Sequence, residues 1–344
     1  MANSKIRIGV LGVGHLGRWH VQQLKTISNA ELVGFYDSDS TNSAAIEKEY
    51  DVKAYPKFEE LLHQIDAVSI VTPTTTHFNY ALQALKAKKH TFIEKPITET
   101  VDEGQQLVDL AERNHLKLQV GHIERFNPAI LALENFTINP LFIESHRMSD
   151  FNPRGTDVAV VLDLMIHDID LILSFVQSPV KSIDASGVSI ISGNEDIANC
   201  RINFENGCVA NVTASRISNR KMRKMRFFQP SAYISVDFLQ KSSEVYELID
   251  PNIPPSESSF AISFGKLGDG ENAKEIRYSK YEKLDVNPLK FELELFINSV
   301  INDTPPAVDG KEGVRALRVA KEIMDSIDEH AEIVRKNWNL SNNP

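Results

Sequence analysis

The first third of the chain alternates short apolar runs with stretches of helical periodicity. The apolar runs are apolar on both faces, which is the pattern of strands in a buried parallel sheet. Strands are predicted at 6–11, 31–36, 67–71, 91–93 and 117–121. Helices are predicted at 15–28, 41–49, 57–64, 77–87 and 101–114. This alternation predicts a doubly wound α/β domain.

The pattern changes near 121–123, so we expect one domain over 1–121 and a second over 122–344. Alternating, β-branched segments joined by Asn-Gly and Gly-Asn turns then predict a mostly antiparallel sheet. Its strands are predicted at 141–149, 181–190, 196–205, 208–216, 224–229, 232–237, 243–248 and 274–279. Helices are predicted at 123–134, 163–175, 287–301 and 314–336, and a long loop at 250–273. An open sheet face favours assembly into a homo-oligomer, a dimer or tetramer.

The first strand leads into a glycine-rich turn, Gly12-x-Gly14-x-x-Gly17. Gly12 permits a tight turn, and Gly14 removes a side chain where a pyrophosphate would approach the backbone. Gly17 lets the next helix pack close to the strand. The pyrophosphate would lie on the N–H groups at the helix start, beside His15 and Leu16. The turn therefore predicts a dinucleotide site, and the alternative is a tight turn without a ligand.

Asp37 ends the second predicted strand, 25 positions after Gly12, and Ser38 follows it. A carboxylate there can accept hydrogen bonds from ribose hydroxyls, and its charge repels a 2′-phosphate. We therefore expect NAD as the cofactor, with NADP less favoured.

Two further motifs follow strands of the same predicted sheet. Thr72, Pro73 and His77 follow the third strand, and Glu94 and Lys95 follow the fourth. Ligands of open α/β sheets bind beyond these strand ends, so we expect both motifs at the cofactor. The Lys95 ammonium could also hydrogen-bond a substrate hydroxyl. The alternatives are a capped helix start for the threonine run and a surface lysine for Lys95.

Residues 163–170 place acids around a histidine in an apolar helical run. Asp163 and His167 share one helix face, Asp170 lies near it, and Asp168 is turned away. A histidine beside a carboxylate suits general base chemistry, since its ordinary pKa lies near neutrality. The alternative is a polar helix face with a structural role.

Composition narrows the class of protein. A net charge of −10 disfavours a nucleic-acid binder, and no run approaches the about 18 apolar residues of a membrane span. Without an apolar leader and with two cysteines, the chain is expected in the cytoplasm. An Asn206-Gly207 turn would pair Cys200 with Thr213, which leaves both cysteines as free thiols. No metal site is expected.

A basic run, residues 216–226, stands out on this acidic chain. Its members are Arg216, Arg220, Lys221, Arg223, Lys224 and Arg226. The run predicts either a local anion site or a solvated connection between strands.

The glycine turn, Thr-Pro, Glu-Lys-Pro and Asp-x-x-x-His, in this order, resemble the glucose–fructose oxidoreductase/inositol dehydrogenase/MocA family over nearly the whole chain. The resemblance implies a Rossmann domain and a C-terminal α/β domain with an open, mostly antiparallel sheet. It implies hydride transfer between a sugar or cyclitol and NAD(P). It also implies that Lys95 is the catalytic lysine, His167 the proton acceptor and Asp163 its partner.

Three stretches are similar to those of the family's nucleotide-sugar members, the UDP-N-acetylglucosamine 3-dehydrogenases. They are 121–128, 157–170 and 223–237. This resemblance adds Arg125, Asn127, Arg223 and Arg226 as expected substrate-binding residues, with the basic run suited to a diphosphate. One departure is Ala159-Val160, where the family often has two glycines.

Other functions stay open from sequence. The chain could be a free-sugar or cyclitol dehydrogenase of the inositol type. It could be a non-catalytic NAD(H) sensor, which the presence of Lys95 and His167 disfavours. It could also be a lyase or hydrolase that uses transient oxidation.

Overall fold

The computed structural model describes residues 5–152, 158–254, 259–269, 273–283 and 285–338. The chain divides into two compact units. The first unit comprises Met1–Ile123 and Asn287–Arg318, and the second comprises Glu124–Val286 and Val319–Pro344. The sequence predicts a single break at 121–123, whereas the structure returns the segment Asn287–Arg318 to the first unit.

The first unit is built on a parallel sheet. Its strands are β1 (Ile6–Leu11), β2 (Ala30–Tyr36), β3 (Ala67–Ile70), β4 (His90–Glu94) and β5 (Leu118–Gly121). They lie in the order β2-β1-β3-β4-β5. The helices among them are α1 (His15–Leu24), α2 (Ser40–Tyr50), α3 (Phe58–Leu62), α4 (Thr74–Lys86) and α5 (Val101–Arg113). The carboxyl ends of all five strands therefore meet at one edge, where such sheets bind ligands.

Helix α8 (Pro288–Asn302) and the start of α9 (Gly310–Trp338) complete this unit. Leu293, Phe296 and Ile297 are inaccessible to solvent and belong to the same core as Val21 of α1. The ring of Phe296 packs edge-on against Phe92 of β4, with 5.8 Å between centroids. Periodicity predicts a helix here but not its partner, because an apolar helix face fits any apolar sheet.

The second unit is built on a larger sheet. Its strands are β6 (Phe142–Met148), β7 (Val180–Val188), β8 (Ile197–Phe204), β9 (Val209–Ser215), β10 (Met222–Gln229), β11 (Ala232–Asp237), β12 (Ser242–Ile249), β13 (Ser259–Leu267) and β14 (Lys274–Glu282). Their order is β13-β14-β12-β11-β10-β6-β9-β8-β7. Neighbouring strands are antiparallel except β6 and β9, which run parallel. The predicted fold class is confirmed.

Short helices connect the second unit. They are a 3₁₀-helix (Ile123–Phe126), α6 (Pro128–Leu131), a π-helix (Val161–Met165) and α7 (Ile166–Phe175). The sequence predicts one continuous helix over 123–134 and another over 163–175. Pro128 sits at the first position of α6, with Asn127 as its N-cap, and this start separates α6 from the 3₁₀-helix.

Successive residues of these strands point to opposite faces of the sheet. On one face Ile143, Met225 and Ile234 are inaccessible to solvent. The other face, the open face, carries a row of directly paired aromatic rings with centroids 4.9 to 5.9 Å apart. This aromatic row consists of Phe142, Phe228, Tyr233, Tyr246 and Tyr278.

Two details of the second unit differ from the predictions. Strand β13 lies inside the predicted loop 250–273, where it pairs with β14. In the β8–β9 hairpin Cys200 faces Val212 rather than Thr213, and both cysteines are free thiols. The hairpin loop has one residue more than predicted, since the amide of Phe204 donates to the carbonyl of Cys208. Among the described residues, no helix combines the length and apolarity needed to cross a membrane.

Candidate active site

The turn between β1 and α1 has the geometry that a dinucleotide phosphate requires. Gly12 has φ +84°, and a Cβ there would lie 2.7 Å from the carbonyl oxygen of Val71. A Cβ at Gly17 would lie 2.0 Å from the carbonyl oxygen of Gly12, so only glycine lets α1 begin this close to β1. A Cβ at Gly14 would meet nothing within 4 Å. The start of α1 therefore opens onto free space that suits an anion.

A cavity of about 260 Å³ lies beside this turn. Six of the residues predicted to bind the cofactor line it: Gly12, Gly14, Asp37, Ser38, Thr72 and Pro73. His15 and Leu16 are exposed in the first turn of α1. The residues present thus fit a dinucleotide, since they combine an anion-binding helix start with a carboxylate and a wall from the loop after β3.

Asp37 also holds the turn together. Its Oδ2 accepts the backbone N–H of Val13 at 2.7 Å, and its Oδ1 accepts that of Asp39 at 2.9 Å. The side chain is therefore fixed at the end of β2 with its charge toward the cavity wall. A carboxylate so placed suits ribose hydroxyls and disfavours a 2′-phosphate.

His77 is placed differently from the prediction. It is buried, with Nδ1 2.9 Å from the Pro96 carbonyl oxygen and Nε2 2.9 Å from that of Thr72. Burial lowers the pKa of His77, so the neutral ring can donate to only one carbonyl at a time. His77 thus connects the loops after β3 and β4 and does not line the cavity.

Glu94 ends β4, and Lys95 follows it. Lys95 is half-buried, and its peptide bond to Pro96 is cis. The Glu94 carboxylate accepts the Lys95 amide at 3.3 Å and contacts Nε2 of His20 at 3.1 Å. The sequence analysis missed His20, although a lone histidine on the buried face of α1 was a visible signal.

In the second unit Asp163 lies in the π-helix, and His167 is the second residue of α7. Both are half-buried, whereas Asp168 and Asp170 are buried. Asp168 is thus turned into the interior. The helical spacing predicts only that it points away from the face shared by Asp163 and His167. Single turns of π-helix are frequent at functional sites because they displace side chains from the regular helical positions.

A buried ion-pair network holds this helix. Arg147 on β6 is 2 % exposed, and its Nε lies 2.6 Å from Oδ2 of Asp168. Its Nη1 donates to Oε1 of Glu124 at 3.0 Å, and Ser145 donates to Asp168 at 2.9 Å. Although burial alone lowers it, the carboxylates of Asp168 and Glu124 raise the pKa of Arg147 above its ordinary value. Strand β6, α7 and the 3₁₀-helix are thereby joined next to His167.

Two residues predicted to bind substrate are engaged within this unit. The guanidinium of Arg125 grips Asp170 through two hydrogen bonds of 2.7 Å. Asn127 caps α6, and its amide group donates to Glu124 at 3.1 Å and to the Phe238 carbonyl at 3.3 Å. Their contacts place both in the frame that supports α6 and α7.

The basic run does not form one cluster. Arg223 and Arg226 lie three positions apart on β10 and therefore point to opposite faces of the sheet. Arg226 is on the open face, paired with Glu144 at 2.7 Å. Arg223 shares its face with buried Met225 and remains 41 % exposed, with Nη1 3.7 Å from Oε1 of Glu124.

Other members of the run have acidic neighbours of their own. Lys221 lies 3.4 Å from Asp150, and Lys224 lies 3.1 Å from Asp237. Arg216 is buried and donates to the Val158 carbonyl. Strand alternation thus divides a charge cluster that is continuous in sequence.

Comparison with known proteins supports the same assignment in both units. Residues 6–122 match the family model described as an oxidoreductase family with an NAD-binding Rossmann fold. Residues 141–234 match the GFO/IDH/MocA C-terminal domain. The stretch 157–170, which resembles the nucleotide-sugar members of the family, begins at Asp157. That residue lies outside the described part of the chain.

Two curated relatives match over nearly their full length. The chain is 35% identical to UDP-N-acetylglucosamine 3-dehydrogenase of Acidithiobacillus ferrooxidans over 94% of this chain and 97% of that protein. A solved structure of that dehydrogenase has a TM-score of 0.83 at 34% identity, over 94% of this chain and 98% of the other. Myo-inositol 2-dehydrogenase of Thermotoga maritima is 26% identical over 94% of this chain and 97% of that protein. The cavity beside the glycine turn, hereafter the NAD-type pocket, has the residues that a dinucleotide requires. Together with the glycine turn, the nearly full-length matches show that the chain belongs to the GFO/IDH/MocA family of NAD-dependent oxidoreductases.

Proposed function

We propose that this oxidoreductase acts on the C3 hydroxyl of a nucleotide-diphosphate N-acetylhexosamine, such as UDP-N-acetylglucosamine. The observation that carries the proposal is the match to UDP-N-acetylglucosamine 3-dehydrogenase, at 35% identity over 94% of the chain. The match to myo-inositol 2-dehydrogenase covers the same share at 26% identity. That second match makes a cyclitol or free-sugar dehydrogenase the alternative.

The reaction divides between the cofactor and three side chains. Bound NAD would supply the acceptor for the hydride that leaves the carbon bearing the reacting hydroxyl. We assign removal of the hydroxyl proton to His167, because imidazole is the side chain whose ordinary pKa lies nearest neutrality. Asp163 orients that ring, and the Lys95 ammonium stabilises the negative charge that develops on oxygen.

Arg223 is our candidate for contact with the diphosphate. Its guanidinium is 41 % exposed on the sheet face that carries Arg147 and Met225. Burial lowers the pKa of Arg223, with the nearby positive charge of Arg147 adding to that effect. A diphosphate would supply the negative charge that this guanidinium only partly obtains from Glu124, in the bidentate geometry that arginine favours.

The test compares substrates at equal concentration with NAD, following NADH formation. UDP-N-acetylglucosamine should be oxidised with a higher kcat/KM than UDP-glucose, glucose 6-phosphate or myo-inositol. The His167→Ala enzyme serves as the control for contaminating activity. Faster oxidation of myo-inositol or a free sugar would replace our proposal with the alternative. Product without accumulated NADH would indicate transient oxidation, and NAD binding without any turnover would indicate a sensor.

We also propose that the open face of the second sheet packs against a second copy in a homo-oligomer. The aromatic row leaves Phe228 and Tyr246 each 37% exposed, and contiguous apolar surface of this kind is unfavourable in water. Tyr246→Glu should lower the mass measured by analytical ultracentrifugation, and an unchanged mass would oppose this. Location in the cytoplasm stays a prediction.

A further inference from the structure

A chain of buried hydrogen bonds leads from β3 to the backbone of Lys95. Ser69 Oγ lies 2.9 Å from Nδ1 of His20 on α1, and Nε2 of that ring lies 3.1 Å from Oε1 of Glu94. The other carboxylate oxygen, Oε2, accepts the N–H of Lys95 at 3.3 Å. Ser69 and His20 are inaccessible to solvent, and Glu94 is 9% exposed.

With an ionised Glu94 carboxylate and a neutral His20 ring, the hydrogen bonds of this chain have one consistent direction. An ionised carboxylate only accepts hydrogen bonds, so Nε2 of His20 must carry a proton. Nδ1 of the neutral ring then accepts from the Ser69 hydroxyl. Each polar atom in the chain is thereby satisfied without a second charge in the interior.

Packing prevents the chain from rearranging. A Cβ at Gly121 would lie 2.9 Å from the Glu94 carboxylate, so β5 leaves room for this group and no more. The His20 ring meets Phe92 edge-on at 5.7 Å. Helix α1 is itself fixed by the contact of Gly17 with Gly12. The carboxylate is therefore confined between β5 and the His20 ring on α1.

We propose that His20 and Glu94 are positioning residues that tie α1 to Lys95. The proposal rests on the proposed function, in which Lys95 stabilises charge on the substrate oxygen. Buried polar groups add little stability compared with apolar side chains of the same volume. Their effect here is on geometry. Through His20 and Glu94, helix α1, whose start suits the pyrophosphate, also holds the backbone of Lys95 in place.

The test uses His20→Leu and His20→Gln. Leucine removes the donor to Glu94, whereas the glutamine amide replaces Nε2–H. For His20→Leu we expect kcat to fall by up to about 10²-fold, while the NADH dissociation constant changes by less than about threefold. His20→Gln should recover most of that loss. The primary isotope effect on kcat, with the best substrate deuterated at its reacting carbon, should rise for His20→Leu but not for His20→Gln.

Thr91→Val is the control. It removes an equally buried hydroxyl on β4, which bonds only to the Lys89 carbonyl in the described chain, so kcat should stay unchanged.

Glu94→Gln provides a second route if His20→Leu fails to fold. It keeps the volume but presents an NH₂ group to the Lys95 amide, so kcat should also fall. Wild-type kcat in folded His20→Leu or Glu94→Gln, or no recovery with His20→Gln, would overturn the proposal. Lys95→Ala separates the two claims: wild-type turnover there would overturn the role of Lys95 itself. If kcat falls in Lys95→Ala but stays at the wild-type value in Glu94→Gln, only the positioning role is overturned.

Discussion

In the first unit the residues that line the cavity lie within a few positions of strand ends. In the second unit α7 is held by ion pairs between residues that are distant in sequence. Gly12 and Asp37 follow β1 and β2 directly, and Thr72 is the second residue after β3. By contrast, Arg147 reaches Asp168 across 21 positions, and Arg125 reaches Asp170 across 45.

The difference follows from sheet type. Parallel strands deliver their carboxyl ends to one edge, so a residue's place in the sequence predicts its place in the site. Antiparallel strands alternate their side chains between two faces, so neighbours in sequence are separated in space. Arg223 and Arg226 show the second case, and the predictions below test where the comparison holds.

The largest effect on kcat should come from substitutions in α7 and the π-helix before it. His167→Ala should lower kcat by about 10²–10⁴-fold because it removes the proposed proton acceptor. Asp163→Asn should be slow too, since the ring loses its orientation. NADH affinity, measured by fluorescence titration, should stay close to wild type because the NAD-type pocket is built in the first unit. Turnover within about threefold of wild type would remove His167 from the mechanism.

Arg147→Met should reduce the free energy of unfolding by about 3–5 kcal/mol, because Asp168 and Glu124 would lose the cation that they share. Urea denaturation measures the change. Lys221→Met removes a charge that is 63% exposed and should change stability by less than about 0.5 kcal/mol. Equal effects of the two substitutions would contradict the role of long-range buried pairs in the second unit.

Asp196, which directly precedes β8, provides a pH-dependent test within the second unit. Burial alone would raise the pKa of Asp196. Hydrogen bonds from the backbone amides of Ile191, Ile190 and Ser192, and from the Ser192 hydroxyl, lower that pKa from 3.8 to about 2. The folded-state pKa is below the unfolded one, so this stabilisation is present above 3.8 and disappears as the pH falls toward 2. Asp196→Asn should therefore destabilise by about 2 kcal/mol at neutral pH, and the difference should shrink in acid. A difference independent of pH would refute this assignment.

Arg223→Ala and Arg226→Ala separate the two sheet faces. Arg223→Ala should raise KM for UDP-N-acetylglucosamine by about tenfold, with an effect that salt weakens. Arg226→Ala should leave KM within about twofold, since its side chain pairs with Glu144 on the open face. If both substitutions raise KM equally, the diphosphate is not bound on the face that carries Arg223.

Asp37→Ser tests the comparison in the first unit. Loss of the carboxylate should narrow the preference for NADH over NADPH by about tenfold, because like-charge repulsion disappears. Absolute NADH affinity should fall somewhat as well, since Val13 loses its acceptor. Fluorescence titration with both dinucleotides measures the gap. Equal affinity of the wild-type enzyme for both would show that Asp37 does not discriminate between them.

The sequence predicts the Rossmann unit closely because its motif residues require a particular backbone. Gly12 and Gly17 are positions that only glycine can fill, and that requirement is visible in sequence. Pairing of distant side chains leaves no comparable pattern. Arg147, Glu124 and His20 are ordinary polar residues until the fold brings their partners to within 3.1 Å. The same limit applies to α8, whose periodicity predicts a helix but not the core that it completes.

The return of Asn287–Arg318 to the first unit affects the order in which the protein can form on the ribosome. The nascent chain presents all five strands of the parallel sheet long before α8 is made. Until then Val21 and Phe92 lack the cover of Leu293 and Phe296. The second unit's sheet emerges completely during that interval. The dinucleotide-binding unit is therefore begun first and finished late, and its apolar surface requires protection throughout synthesis.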